Sequence, residues 1–207
     1  MALESLGQLQ PYHIDVLTEI GNIGSGNAAT ALASMMNTFV DIEIPTITLL
    51  DYEKVADLLG GVDASAIGIS LDINEDLTGR ILHILQPDFA SKLVSTFYPT
   101  QIECLDDISD MDLSVISEMG NITSAAYVNA LAGLTNLFIN ISPPTTLKGT
   151  IENILSVSSN SMQNIGHQVL FIDEKLKIDG SEINSSLILM LEIDSLKLLF
   201  NKLGVEY

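Results

Sequence analysis

The stretch Asp15-Val-Leu-Thr-Glu19-Ile-Gly-Asn22 occurs twice in this chain, because 99 residues later it returns as Ser114-Val-Ile-Ser-Glu118-Met-Gly-Asn121. In each copy a Glu stands four residues after a short polar residue and three residues before an Asn. On an α-helix these three positions lie along one stripe. The residues between them, such as Leu17 and Ile20, are apolar and are expected to point toward a core. The repeat therefore predicts two helices that each carry one polar stripe on a largely apolar surface.

The similarity continues beyond these eight residues. Aligned without gaps, residues 15–46 and 114–145 share an Ala-Leu-Ala segment, Asn37 with Asn136, and Pro45-Thr46 with Pro144-Thr145. Both halves also show the same predicted order of a long helix, a strand, a short helix, two strands and a helix. This pattern indicates an internal duplication.

These elements predict a mixed α/β (α+β) fold with pseudo-two-fold symmetry. Three strands in each half are too few for a stable sheet, so we expect one fused six-stranded sheet. It should be mainly antiparallel, because hairpins supply the connections. Two long helices, from Leu9 to Met36 and from about Asp112 to Thr135, should pack on it with the shorter helices. We expect residues 1–207 to form a single domain of two halves, about 9–99 and 108–207.

Three glycines, Gly21, Gly24 and Gly26, lie inside the first long helix. A glycine in a helix interior costs ~1 kcal/mol relative to alanine. Three so close together predict that another backbone packs against this turn, most simply that of the matching helix. Their order, G-x-x-G-x-G within a helix and without a lysine, does not fit a nucleotide-binding loop.

Composition limits the partners and the compartment. The formal net charge is −19, with 8 Lys and Arg residues among 207, which argues against nucleic acid and against an anionic membrane surface as a partner. No apolar run reaches the length that spans a bilayer, so membrane insertion is not expected. Cys104 is the only cysteine, which permits no intrachain disulfide and fits a reducing compartment. We expect a cytoplasmic protein.

The sequence shows no metal-binding pattern. The three histidines, His13, His83 and His167, are scattered, and each is best interpreted as a structural or surface residue. The acidic run Asp106-Asp107 and Asp110-Met-Asp112 predicts a solvated connector, because no glycine-punctuated calcium loop surrounds it. We predict that the chain has no metal site and no cofactor of its own.

Glu and Asn recur in both copies, whereas neighbouring core positions differ, for example Ile20 and Met119. Because solvated positions usually drift after duplication, this recurrence favours a function for the stripe. An Asn side chain is neither nucleophile nor base, but it can hold a water by donating and accepting hydrogen bonds. Amides place the attacking water in other phosphoryl-transfer systems, and a carboxylate can pair with a lysine of a partner. The pattern predicts a helix that completes another protein's active site and hydrolyses an acyl phosphate.

Both stretches fit the pattern Asp/Ser-x3-Glu-x2-Asn-x22-Pro, which resembles the CheC/CheX/FliY family of chemotaxis phosphatases. The matching residues are Asp15, Glu19, Asn22 and Pro45 in the first half, and Ser114, Glu118, Asn121 and Pro144 in the second. Two copies of the motif without an added C-terminal domain look like the CheC branch of this family. The resemblance covers essentially the whole chain.

This resemblance implies an enzyme, a protein phosphatase that dephosphorylates the response regulator CheY-P. It implies catalytic roles for Glu19, Asn22, Glu118 and Asn121, in which each Asn places the water and each Glu contacts a lysine of CheY. Mg²⁺ would sit in the bound CheY. Asp15, Ser114, Pro45 and Pro144 would support the motif or contact the partner. The resemblance also implies binding of CheD, the receptor deamidase, and we expect a monomer.

Two other interpretations stay open at this stage. The chain could be an adaptor that binds CheD or the flagellar switch, with weak or vestigial catalysis. It could also be a structural protein whose two polar stripes merely contact each other, in which case both Glu and Asn pairs would be buried against one another.

Overall fold

The computed structural model describes residues 5–100, 102–160, 168–178 and 180–206. The α-helices in this part of the chain are α1 (Pro11–Met36), α2 (Tyr52–Leu58), α3 (Pro87–Ser95), α4 (Asp110–Thr135), α5 (Ile151–Asn160) and α6 (Ile193–Lys202). The strands are β1 (Val40–Ile42), β2 (Thr46–Asp51), β3 (Ser65–Glu75), β4 (Gly79–Leu85), β5 (Ile139–Ile141), β6 (Thr145–Thr150), β7 (Gln168–Ile178) and β8 (Ser181–Leu191). No helix among these is both long and apolar enough to cross a bilayer.

One antiparallel sheet runs through both halves in the order β1-β7-β8-β4-β3-β5, with β2 also paired to β7 and β6 also paired to β3. The expected count of six strands is wrong, because the described residues form eight. The strand around Pro45 is two strands, β1 and β2, and the strand around Pro144 is likewise β5 and β6. A proline donates no ladder hydrogen bond and interrupts a strand. β1 and β2 both pair with β7, and β5 and β6 both pair with β3. Eight strands therefore occupy six positions in the sheet.

The two halves pair with each other at the centre of this sheet, where β4 pairs with β8, and again at both edges, where β1 and β2 pair with β7 and β5 and β6 pair with β3. On either side of the central line lie the hairpins β3–β4 and β7–β8, and the element order of the first half is repeated in the second. Each long helix ends at an asparagine in the left-handed conformation, Asn37 with φ 50° and Asn136 with φ 54°. The mixed fold, the duplication and the helix stop at Asn37 are confirmed. The boundaries of the halves at about 9–99 and 108–207 stay a prediction.

The helices cover both faces of the sheet. Apolar residues of α1, α3, α4 and α6 pack on one face, and those of α2 and α5 pack on the other. Within the first layer, Ile20 shares a cluster with Leu131, whereas Leu32 shares one with Ile116. The beginning of each long helix therefore lies beside the end of the other, and α1 and α4 run antiparallel.

The three glycines of α1 have three different environments. A Cβ added to Gly24 would lie 2.5 Å from the ring of Tyr127 on α4, and one added to Gly21 would lie 3.0 Å from Ile47 on β2. One added to Gly26 would meet nothing within 4 Å. The prediction of a close approach by the matching helix is therefore correct at Gly24. The predicted close contact with a backbone is wrong, because side chains fill the space.

The acidic connector differs from its prediction at Asp112, which is buried. Ser109 caps α4, and its backbone N–H and hydroxyl donate to the Asp112 carboxylate at 2.8 and 2.6 Å. The Tyr98 hydroxyl donates to the same carboxylate at 2.6 Å. Burial alone would raise the pKa of Asp112, but the hydrogen bonds from Ser109 and Tyr98 outweigh it and hold that pKa below its usual value. This capping box starts α4 at Asp110, two residues before the predicted start.

Two of the histidines are structural, as predicted. His13 is buried; its Nδ1 accepts a hydrogen bond from the Gln10 backbone at 2.8 Å, and its Nε2 lies 2.9 Å from the Glu206 carbonyl oxygen. His83 is buried beneath α4 and hydrogen-bonds a serine there. His167 lies outside the described residues.

Two alanine substitutions within one turn of α1 should change stability in opposite directions. Gly26→Ala should raise the free energy of unfolding by ~1 kcal/mol, because the methyl meets nothing and the unfolded chain loses freedom. Gly24→Ala should lower it by roughly 1–3 kcal/mol, because the methyl overlaps the Tyr127 ring. Urea denaturation of the two variants measures both effects, and a shift of the same sign in both would contradict this packing.

Candidate functional site

The polar stripe of α1 faces away from the core. Asp15 and Glu19 are exposed and Asn22 is half-buried, whereas Leu17 and Ile20 between them are buried. Three residues of helix advance by ~4.5 Å, so the Glu and Asn side chains lie about one turn apart on the same side. Both groups can therefore reach a single partner surface.

The stripe of α4 has the same arrangement. Ser114 and Glu118 are exposed and Asn121 is half-buried, whereas Ile116 and Met119 are buried. Because α1 and α4 are antiparallel, the two stripes lie toward opposite ends of the helix pair. The structure thus presents two separate copies of one surface.

The glutamate and asparagine of each stripe are not paired within the described part of the protein. Among the described residues, the side chains of Glu19, Asn22, Glu118 and Asn121 make no hydrogen bond or ion pair. Both Glu side chains are exposed, so the two pairs are not buried against each other as the purely structural interpretation requires. The stripes are available to another molecule.

The proline of the first motif supports the helix from below. Pro45 is buried, and its Cγ would lie 3.5 Å from a Cβ added to Gly21, the residue before Asn22. The chain leaves α1, turns at Asn37 and returns through β1, which explains the distance along the chain between the Asn and the Pro. In the second half, Pro144 is half-buried, and the atoms nearest to a Cβ on Gly120 belong to Ile69. Each proline lies between the two short strands of its half, but the residues that surround the two prolines differ.

The first motif position also differs between the halves. The Ser114 hydroxyl donates to the Asp110 carbonyl oxygen of its own helix at 2.9 Å. Asp15 is an exposed carboxylate at the equivalent place. The α1 stripe therefore presents one more negative charge than the α4 stripe.

Beneath Asn22 lies a buried polar group that the sequence did not reveal. Tyr127 on α4 donates a hydrogen bond to the Glu174 carboxylate on β7, and its ring lies against Gly24, two residues after Asn22. The Ser25 hydroxyl lies 3.0 Å from the Asn22 carbonyl oxygen. Burial raises the pKa of Glu174 to about 7 and also raises the pKa of Tyr127. Because Glu174 lies in the charged run Asp173-Glu174-Lys175, the sequence gives no sign that its carboxylate faces inward.

The turn after Asn121 is supported by another group. His83 on β4 lies 2.8 Å from the Ser124 hydroxyl and 3.3 Å from the Thr123 hydroxyl. Burial lowers the pKa of His83 to about 4, so it is neutral at physiological pH. Ser25 and Ser124 are equivalent in the repeat, which is the only signal in the sequence that could have pointed to these buried contacts.

The described residues contain no group of three or more His, Cys, Asp or Glu side chains that could hold a metal ion.

The sequence and the fold both match known proteins. Residues 13–49 and 111–147 both match the model of the CheC-like family. The CheY-P phosphatase CheC of Bacillus subtilis (strain 168) is 28% identical over 197 residues, which cover 93% of this chain and 94% of that protein. The crystal structure of FliY from Thermotoga maritima matches with a TM-score of 0.72 and 21% identity, over 95% of this chain and 98% of that one.

A complex of CheX with CheY, BeF3 and Mg²⁺ from Borrelia burgdorferi contains a chain that matches with a TM-score of 0.53 and 13% identity, over 82% of this chain and 96% of that one. Both structural matches concern the fold. Together, one family segment in each half and the full-length similarity to CheC confirm the resemblance. Both halves of the chain are similar to CheC-like proteins.

The buried Glu174 should make stability depend on pH. Its pKa is raised from 4.5 to about 7 by folding, so its contribution to stability is complete below pH 4.5 and is lost as the pH rises through 7. Glu174→Gln removes the ionisable group, and with it the loss of stability at high pH. Relative to the parent, the variant's free energy of unfolding should therefore increase by about 3 kcal/mol between pH 4.5 and pH 8.

His83→Gln is the matched control, because the pKa of His83 is lowered from 6.5 to about 4. The stability that the neutral His83 contributes to the parent is present above pH 6.5 and is lost as the pH falls toward 4. The variant lacks this contribution, so its free energy of unfolding relative to the parent should fall as the pH rises from 4 to 6.5. Urea unfolding at several pH values measures both slopes. Slopes of the same sign would contradict the assigned environments.

Proposed function

We propose that this CheC-like protein is a phosphatase of the chemotaxis response regulator CheY-P, with one site on α1 and one on α4. The observation that carries this proposal is the pair of Glu-x2-Asn stripes, both directed outward and both without a partner in the described part of the chain. A side chain that binds nothing in its own protein, in two equivalent places, is suited to bind a second protein.

In this mechanism the Asn22 or Asn121 amide holds a water in line with the phosphorus of the aspartyl phosphate. The water oxygen forms a bond to phosphorus while the bond from phosphorus to the aspartyl oxygen breaks. The products are inorganic phosphate and the free aspartate carboxylate. An acyl phosphate is already reactive, so placing the water and aligning the charges supplies enough acceleration.

Glu19 and Glu118 serve binding and register. Each is exposed one turn before its Asn, where it can pair with a lysine of CheY. Such a pair at the rim of an interface orients the partner and adds modest affinity. It fixes which turn of the helix faces the phosphoryl group.

Two comparisons support the choice of partner. The full-length relative from Bacillus subtilis is named a CheY-P phosphatase, and a protein of the same fold has been solved as a complex with CheY. By the family resemblance we further propose that CheY holds the Mg²⁺, that CheD is a second partner, and that the chain acts in the cytoplasm as a single-domain monomer. The flagellar-switch adaptor is the competing proposal, and turnover separates the two.

Replacing both asparagines should abolish catalysis without unfolding the protein. Asn22→Ala combined with Asn121→Ala should lower the rate of phosphate release from CheY-P by at least ~100-fold, because the water loses its positioning donor. Each single variant should keep roughly half of the activity if the two sites act independently. Phosphate release from phosphorylated CheY in the presence of Mg²⁺ measures these rates.

Asn27→Ala and Asn129→Ala provide matched controls, since both asparagines are exposed on the same two helices but lie outside the motif. These controls should retain the parent rate. A double motif variant that releases phosphate as fast as the controls would refute the proposed role of Asn22 and Asn121.

Replacing both glutamates should weaken binding more than chemistry. Glu19→Gln combined with Glu118→Gln removes the charge but keeps the shape of the side chain. Each pair is worth up to ~1 kcal/mol, so KM for CheY-P should rise by roughly five-fold while kcat changes less. The increase should shrink at high salt, where the parent's own pairing is screened. A loss confined to kcat would assign the glutamates to the chemical step instead.

A further inference from the structure

We propose that Tyr127, although it lies on α4, is a positioning residue for the site on α1. This inference rests on the proposed function and concerns how one of its two sites is held in place. Tyr127 follows Asn121 by six residues on α4, yet its contacts lead to the turn that carries Asn22 on the other helix.

The ring of Tyr127 sets the spacing of the two helices beside Asn22. A Cβ added to Gly24 would lie 2.5 Å from Cδ1 and 2.9 Å from Cε1 of the ring. The aromatic face therefore lies directly against the backbone of α1, two residues after Asn22. No residue other than glycine fits there without moving the ring or the helix.

The hydroxyl of Tyr127 holds the ring against that turn. It donates a hydrogen bond to the Glu174 carboxylate on β7, and both side chains are buried, with Glu174 3% exposed. Moving the ring would break this bond and leave a buried polar group without its partner, which is costly. This series, from Glu174 through the hydroxyl and ring of Tyr127 to the backbone at Gly24, therefore connects the sheet to the turn of α1 beside Asn22.

The site on α4 lacks this support. The position equivalent to Tyr127 in the first half is Ala28, and the position equivalent to Gly24 in the second half is Thr123. The turn after Asn121 is instead joined to β4 through His83 and Ser124. Loss of the Tyr127 hydroxyl should therefore affect the two sites unequally.

The test measures each site alone. Asn121→Ala leaves only the α1 site, and Asn22→Ala leaves only the α4 site. Tyr127→Phe, which keeps the ring and removes the hydroxyl, should lower kcat of the α1 site for CheY-P by about ten-fold, because a small misplacement of the water is enough for such a loss. Its KM should change much less, since Glu19 lies outside the series. The loss at the α4 site should be several-fold smaller.

Two further variants separate positioning from general destabilisation. Gly24→Ala keeps the Tyr127 hydroxyl but forces its ring or the turn beside Asn22 to move, so it should show the same selective loss even if Tyr127→Phe does not fold. Tyr98→Phe breaks a comparable bond between a phenol and a carboxylate, the one to Asp112 at the start of α4. It should lower stability without a selective loss of kcat at the α1 site.

The possible failures are distinguishable. Equal losses at both sites, or a loss of kcat that Tyr98→Phe reproduces, would overturn the role of Tyr127. An active Asn121→Ala parent that is insensitive to Tyr127→Phe and Gly24→Ala would overturn it as well. An Asn121→Ala parent that releases no phosphate would instead contradict the proposed function, and this inference with it.

Discussion

The contact between α1 and α4 on one face of a continuous sheet is the constraint on which the rest of the molecule depends. Each half has three positions in the sheet, and β4 and β8 join them into one surface broad enough to support two long antiparallel helices. Because the contact at Gly24 brings the Tyr127 ring against the helix backbone, α1 has little freedom to shift. Both stripes are thereby held on rigid helices, with their side chains directed away from the core. A surface that acts on a partner requires this arrangement.

The sequence was sufficient for the architecture because the duplication doubled every local signal. Glu19 and Asn22 were recognisable only through their return as Glu118 and Asn121. The division of a strand at each proline was not predicted, although Pro45 recurs as Pro144. The other features that could not be predicted have no repeat. Tyr127, Glu174 and His83 have no equivalent residue in the other half, and their importance arises from contacts between elements far apart in the chain. Asp112 looked solvated because a capping box depends on geometry that charge patterning does not show.

The two halves are alike on the surface and different underneath. Both stripes offer a carboxylate and an amide, while the turn of α1 is held by Tyr127 and Glu174 and the turn of α4 by His83. The proposed phosphatase mechanism, in which the substrate protein supplies the metal and the phosphoryl group, needs only these outward groups to be kept. The buried supports were free to diverge after duplication as long as each held its own asparagine in place.

The central claim is that this chain is a catalyst and not only a binding module, and turnover tests it most directly. In the presence of Mg²⁺, intact protein at about one-twentieth of the concentration of CheY-P should speed phosphate release well above the rate of CheY-P alone, and the faster rate should continue far beyond one equivalent for each of the two sites. Faster release that stops at or below two equivalents per chain, or a rate no higher than that of CheY-P alone, would contradict the account and favour an adaptor.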